Sequence, residues 1–178
     1  IGFDERAVDA VLWAAGPCTL PVVLDADALT ILAEHGRLGD LAEAAGPRIL
    51  TPHPGEMARL AGIDTRDVQA DRVEVARGFA QEHGAILVLK GANTLVADPS
   101  GYLTLNRTGG PALATAGSGD VLTGVIASLL GQGADPRAAA RGGGGLHGRA
   151  GDLAADDLGE AAVIAGDVAE RLGLAWRS

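Results

Sequence analysis

Residues 22–32 read VVLDADALTIL: an apolar run passes through two aspartates into Leu29, Ile31 and Leu32 at helical spacing. The run Leu20–Leu24, without alternating polar positions, predicts a strand buried on both faces, and the leucines and isoleucine beyond it predict the inner side of a helix. A strand that feeds a helix through a short joint is half of a β-α-β unit, and the pattern recurs along the chain. Arg48–Leu50 is a second short strand, followed by Thr51-Pro-His-Pro-Gly-Glu56, where Pro54 suits the first turn of a helix running to about Leu60. Residues 67–83 predict one helix with Val68, Val73, Val75, Ala76 and Phe79 partly facing a core, and Ala85–Lys90 is apolar until its last residue. Asn93–Ala97 and Tyr102–Leu105, joined through Pro99-Ser-Gly101, predict a hairpin. Ahead of all this, Val8, Val11 and Leu12 mark a helix that Gly16-Pro17 ends, and helices fill the chain after the hairpin. The expectation is an α/β fold whose mostly parallel sheet is covered by helices on both faces.

Sites in such sheets gather at the C-terminal strand ends. Asp25 and Asp27, His53 and Glu56, and Lys90–Thr94 each follow a predicted strand directly. Lys90-Gly-Ala-Asn-Thr94 combines a cation, a flexible glycine and two hydrogen-bonding side chains, which suits nucleotide phosphate or ribose, or equally a polar hairpin with a solvated lysine. His53 stands between two prolines that restrict its backbone and is a candidate ligand contact or a structural histidine. Glu56 suits a water-bridged magnesium or the first turn of its helix. Asp27 reads as a helix N-cap or, with Asp25, as a holder of metal or substrate. His147 and Asp152 read as surface or packing groups of a late helix.

The stretch 112–124, ALATAGSGDVLTG, sets a glycine turn before a helix with apolar Val121, Leu122, Val125, Ile126, Leu129 and Leu130. Gly117 and Gly119 permit positive φ and close backbone approach, Ser118 is a candidate cap for a helix beginning near Asp120, and a helix start with free N–H groups attracts anions. Asp120 beside such an anion reads either as an ordinary first-turn acid or as a base that takes a proton from an attacking hydroxyl during phosphoryl transfer. Gly142–Gly145 is the one low-complexity segment: either a helix breaks there or close packing compensates its cost.

Length and composition narrow the classes. A chain of 178 residues with 47% hydrophobic content can bury a core as one domain. A net charge of -9 argues against nucleic-acid or anionic-membrane partners. No apolar run approaches the roughly 20 residues of a membrane helix. The single cysteine, Cys18, reads as a buried hydrophobe and fits a reducing cytoplasm.

Together VVLDADALTIL (22–32), TPHPGEMARLAG (51–62), ILVLKGANTLVADPSG (86–101) and the GSGD run, extended by LHGRAGDLAA and IAGDV, resemble the carbohydrate-kinase-like domain of the NAD(P)H-hydrate dehydratases. The resemblance spans nearly the whole chain. It implies a ribokinase-like three-layer α/β/α sandwich and ADP- or ATP-dependent dehydration of hydrated NADH or NADPH. The hydrate hydroxyl would be phosphorylated and phosphate then eliminated, with magnesium as cofactor. By motif, Asp120 would be the base and a substrate contact, and His53 would touch the hydrate. Lys90, Gly91, Ala92, Asn93 and Thr94 would form the nucleotide segment with Gly117, Ser118 and Gly119 as anion hole. Glu56 would be the magnesium-associated acid. A homo-oligomer is also implied. Against the family pattern, Ile1-Gly-Phe-Asp joins after the expected first strands and glycine-rich stretch, so the domain is expected to be N-terminally incomplete. The alternatives are a ribokinase-like kinase for a vitamin precursor or sugar, against which the histidine of TPHPGE speaks, and a nucleotide-binding module without turnover.

Overall fold

A computed structural model describes residues 4–177, so the junction at Ile1–Phe3 lies outside the described residues. The sheet has the order β1 (Val22–Leu24), β2 (Arg48–Leu50), β3 (Ile86–Leu89), β4 (Leu95–Ala97) and β5 (Leu103–Leu105). β1–β2 and β2–β3 are parallel and β3–β4 is antiparallel, in the register Val23 with Ile49, Ile49 with Ile86, and Val88 with Val96. The Asp98 amide donates to the Tyr102 carbonyl, and the Asn106 amide to the Thr94 carbonyl, which closes the hairpin and returns β5 to the direction of β1 to β3. Four of the five strands therefore run one way, as a mostly parallel α/β sheet requires.

Between them lie α1 (Glu5–Ala15), α2 (Asp27–Glu34), α3 (Gly39–Ala42), α4 (Pro54–Ala61), α5 (Thr65–Ala70) and α6 (Arg72–Glu82). After the hairpin come α7 (Ser118–Gly131), α8 (Pro136–Leu158) and α9 (Ala165–Ala175). Compact packing divides the chain into two units, one reaching to Gly91 and taking in Leu95–Thr104, the other made of Ala92–Thr94 and the chain from Leu105 onward.

In the first unit, Leu24, Leu50, Leu87, Leu89, Leu95 and Ala97 line one sheet face and join the core formed with Leu29, Ile31, Leu32, Met57, Val68 and Phe79. Ile49, Ile86, Val88 and Val96 on the opposite face are equally buried. The strand predicted from Leu20 begins at Val22, because Leu20 is an exposed joint residue. The single helix predicted over 67–83 is two: Asp71, at φ -145° and ψ 67°, leaves the helical region, and its carboxylate caps α6 by accepting from the Glu74 amide. Val73 consequently faces outward.

A feature the sequence did not flag is Arg48, whose guanidinium is buried within β2. It donates to the carbonyls of Ala15 (2.8 Å), Gly16 (2.9 Å), Cys18, Leu20 (3.1 Å) and Pro47 (3.2 Å), tying the end of α1 and the whole loop before β1 to the sheet. Burial pushes its pKa below the ordinary arginine value, yet the group stays charged, and the negative end of α1 helps to balance it. Cys18 is buried beside it.

In the second unit α8 runs unbroken through Gly142–Gly145, so packing decides the question the sequence left open. A Cβ on Gly143 would lie 2.6 Å from Ile126 Cγ1, one on Gly148 2.6 Å from the Thr108 carbonyl oxygen, and one on Gly151 2.5 Å from Leu113 Cδ2. The helix is bare on that side because α7 and the loop 106–113 lie directly against its backbone.

Arg48→Met should lower unfolding free energy by about 2–4 kcal/mol, since several buried carbonyls lose their donor at once. Urea unfolding measures this, and a change below about 0.5 kcal/mol, an ordinary surface value, would contradict the assigned role.

Candidate active site

The first unit gathers its sequence-predicted residues at the C-terminal edge of β1, β2 and β3. Lys90 Nζ lies 2.8 Å from Asp25 Oδ1 and 3.7 Å from Glu56 Oε2, with all three side chains largely buried. The lysine is thus an internal counter-cation held by two carboxylates, which replaces the solvated lysine considered from sequence. Its amide donates to the Pro52 carbonyl at 2.8 Å, and the Thr51 amide to the Leu24 carbonyl at 3.1 Å, so the strand ends are also tied by backbone bonds.

Asp25 Oδ1 also accepts from the Ala26 amide at 2.9 Å. Ala26 itself sits at φ 51° and ψ -120°, a conformation that L side chains disfavour, and it rather than Asp27 occupies the cap position of α2. Asp27 is the first helical residue, not the N-cap. The strained turn keeps Asp25 at the strand end, where Lys90 reaches it.

His53 and Glu56 form a reciprocal cap on α4. Nδ1 of His53 accepts from the amides of Gly55 (3.0 Å) and Glu56 (3.2 Å), while Glu56 Oε2 accepts from the His53 amide at 2.7 Å. Two N–H donors on Nδ1 leave the ring proton on Nε2, 3.5 Å from Glu56 Oε1. The imidazole is more than half exposed, so this N–H is available to an acceptor on a ligand.

Arg72 is a site residue that sequence reasoning missed. Its Nη2 donates to the carbonyls of Leu89 and Lys90, each at 3.2 Å, and a Cβ on Gly91 would stand 3.1 Å from it. Burial lowers its pKa as well. Gly91, at φ 134°, is where the chain leaves the strand for Ala92-Asn93-Thr94.

The second unit carries the GSGD turn. Gly117 is left-handed, at φ 83° and ψ -8°, and is the cap residue of α7. Ser118 opens the helix without capping it: its hydroxyl instead meets His147 Nε2 at 3.1 Å, and both side chains are buried. The helix therefore starts two residues earlier than the sequence suggested, and exposed Asp120 is its third residue. His147 is not a surface group, and neither is Asp152 idle: both its oxygens accept from the Gly109 amide at 3.1 Å.

Among the described residues no group of three or more His, Cys, Asp or Glu is arranged to hold a metal. No helix there is long and apolar enough to cross a membrane.

The model of the NAD(P)H-hydrate dehydratases matches residues 2–172. The chain belongs to the NAD(P)H-hydrate dehydratase family. It is 49% identical over 175 residues to the bifunctional NAD(P)H-hydrate repair enzyme Nnr of Moorella thermoacetica, covering 98% of this chain and 33% of that protein. It is likewise 49% identical over 150 residues to the ADP-dependent (S)-NAD(P)H-hydrate dehydratase of Neisseria meningitidis, covering 84% of this chain and 51% of that protein. Among solved structures, it superposes with a TM-score of 0.81 and 36% identity on the Bacillus subtilis ADP/ATP-dependent NAD(P)H-hydrate dehydratase co-crystallised with ATP/Mg2+, covering 97% of this chain and 58% of that one. The chain thus spans a third to a half of the length of these curated relatives. The fold is ribokinase-like, as the family resemblance implied.

In this dehydratase-family chain, Lys90→Ala strands Asp25 and Glu56 side by side without their cation. A stability loss of about 1–3 kcal/mol is expected in urea unfolding. Unchanged stability would contradict its role in the strand-end cluster.

Proposed function

We propose that this chain carries out the dehydration of hydrated NADH or NADPH to the intact dinucleotide, at the expense of ADP or ATP. Family membership carries this reading, and the arrangement of each unit's residues supports it. Asp120, exposed at the start of α7, takes the proton from the hydrate hydroxyl as that oxygen attacks the terminal phosphoryl group of the nucleotide. ADP leaves as AMP, or ATP as ADP. The phosphate then departs with the C–O electron pair while a neighbouring ring proton is lost, which restores the dihydronicotinamide.

Gly117, Ser118 and Gly119 supply the turn that steadies charge on the transferred group. Unpaired N–H groups at a helix start attract anions, and Gly117 has no side chain to keep the anion away. Lys90, Gly91, Ala92, Asn93 and Thr94 form the adenine-nucleotide segment, braced from behind by Arg72. His53 offers its Nε2 proton to an acceptor on the hydrate, and its role is that of a donor, because the α4 cap occupies Nδ1.

Magnesium accompanies the nucleotide in this reading and neutralises its phosphates. Glu56 is engaged by His53 and Lys90, so the donor set fits an ion carried by phosphate and reached from Glu56 through water, and it does not fit a protein-only cage. A reducing cytoplasm, consistent with one free buried cysteine, is the proposed setting, and a homo-oligomer is the proposed assembly.

The test is absorbance recovery of reduced nicotinamide when the chain is mixed with NADH hydrate, magnesium and ADP, then separately ATP. Recovery with either nucleotide is the expected result, and Asp120→Asn should reduce it by at least about a thousandfold while ADP affinity stays within about twofold, as for a group acting in the transition state. Full activity in that variant would overturn the base assignment. Binding of ADP with no recovery in the parent chain would overturn the dehydratase reading for this chain.

A further inference from the structure

The Ser118–His147 contact has no part in capping, in metal binding or in any role assigned above. Ser118 is the first residue of α7, and its hydroxyl, which at a helix start ordinarily finds a backbone N–H, turns inward to a histidine 29 positions on in sequence. Both groups are more than nine-tenths buried, so the bond is made where water does not compete for it.

The helix that carries His147 cannot slide. Gly143 backs directly onto Ile126 of α7, and Gly148 onto Thr108. The loop before the turn is stitched to the same face: Asn106 Nδ2 donates to the Gly144 carbonyl at 3.0 Å, Thr108 Oγ1 to the Gly145 carbonyl at 2.9 Å, and the Gly109 amide to Asp152. A larger residue at Gly143 or Gly148 would force α8 away and take His147 with it. Register of α8 is therefore converted, through one imidazole, into the position of Ser118.

The turn on the other side of Ser118 is equally determined. Gly117 is left-handed, a Cβ there would lie 3.2 Å from Ala165 Cβ, and its carbonyl accepts from the Val121 amide at 3.2 Å. Within Gly117–Asp120, the serine side chain ties the turn to α8 through this bond. N–H donors stabilise a developing negative charge only when aimed to within a few tenths of an ångström of it. A tilt of the first turn of α7 would misdirect the Gly119 amide and the Asp120 carboxylate together.

We infer that His147 is a positioning residue which, through Ser118, holds the first turn of α7 in the orientation that phosphoryl transfer requires; this rests on the dehydratase reading above. His147 touches neither substrate nor nucleotide in this scheme. Its influence on the turn passes through the Ser118 hydroxyl, so losing either partner misdirects the turn alike and losing both adds little to that effect.

The test compares the parent chain with Ser118→Ala, His147→Ala, the double variant and His147→Gln, whose amide nitrogen can replace Nε2. With NADH hydrate, magnesium and ADP, each alanine variant should lower kcat by about tenfold to a hundredfold with KM for the hydrate nearly unchanged. The double variant should match the singles, and His147→Gln should recover most of the rate, while melting temperatures do not follow the same order. Additive losses, or unaltered kcat in His147→Ala, would overturn the inference. Amide resonances of Gly119 and Asp120 in the free chain decide the matter even if the parent shows no turnover, a result that would sink the dehydratase reading alone. Common displacement of those resonances in both single variants supports the positioning role, and unshifted resonances in His147→Ala overturn it.

Discussion

An ammonium shared by two carboxylates organises the sheet edge at which the first unit's candidate site residues meet. Lys90 follows β3, Asp25 follows β1 and Glu56 lies in the first turn of α4 after β2, so one side chain gathers the exits of three neighbouring strands. Three charged groups largely removed from water are costly unless they compensate one another. Their neighbours follow from that requirement. Ala26 accepts a disfavoured backbone conformation that keeps Asp25 in reach, and Glu56 divides its oxygens between Lys90 and the His53 amide. His53, bound into the same cap, is left in the tautomer that can only donate from its exposed nitrogen.

The second unit rests on a different constraint, the absence of side chains. Seven of the residues of α8 between Gly142 and Gly151 are glycine or alanine, a composition that weakens an isolated helix by roughly 1 kcal/mol per glycine. The bare backbone admits Ile126, Thr108 and Leu113 at distances a Cβ would forbid, and it exposes helix carbonyls that accept from Asn106 and Thr108. Close approach in turn places His147 against Ser118. Helix propensity is given up so that the glycine turn and Asp120 stand on a rigid base.

Much of this fold was legible because its signals are local. Ile86–Leu89 is a strand because four consecutive apolar residues can be buried on both faces, and Pro54 begins α4 because its fixed φ and missing N–H suit a first helical turn. The clustering of Asp25, Glu56 and Lys90 was legible only as shared position after strands; their ion pairing joins residues 65 apart and has no local mark. Ser118 illustrates the limit better still. A serine after a glycine turn has the pattern of a cap, and the rival partner that draws its hydroxyl away is buried on another helix. Arg48 and Arg72 escaped notice because arginine is ordinarily a surface residue, and here backbone carbonyls, which sequence does not display, accept their hydrogen bonds.

The reaction stoichiometry tests the central claim most directly. Phosphorus NMR of the chain turning over NADH hydrate with ADP and magnesium should show AMP and inorganic phosphate rising together, each matched mole for mole by restored NADH. AMP accumulating with a stable phosphorylated hydrate, and no phosphate released, would contradict the account and leave a kinase in its place.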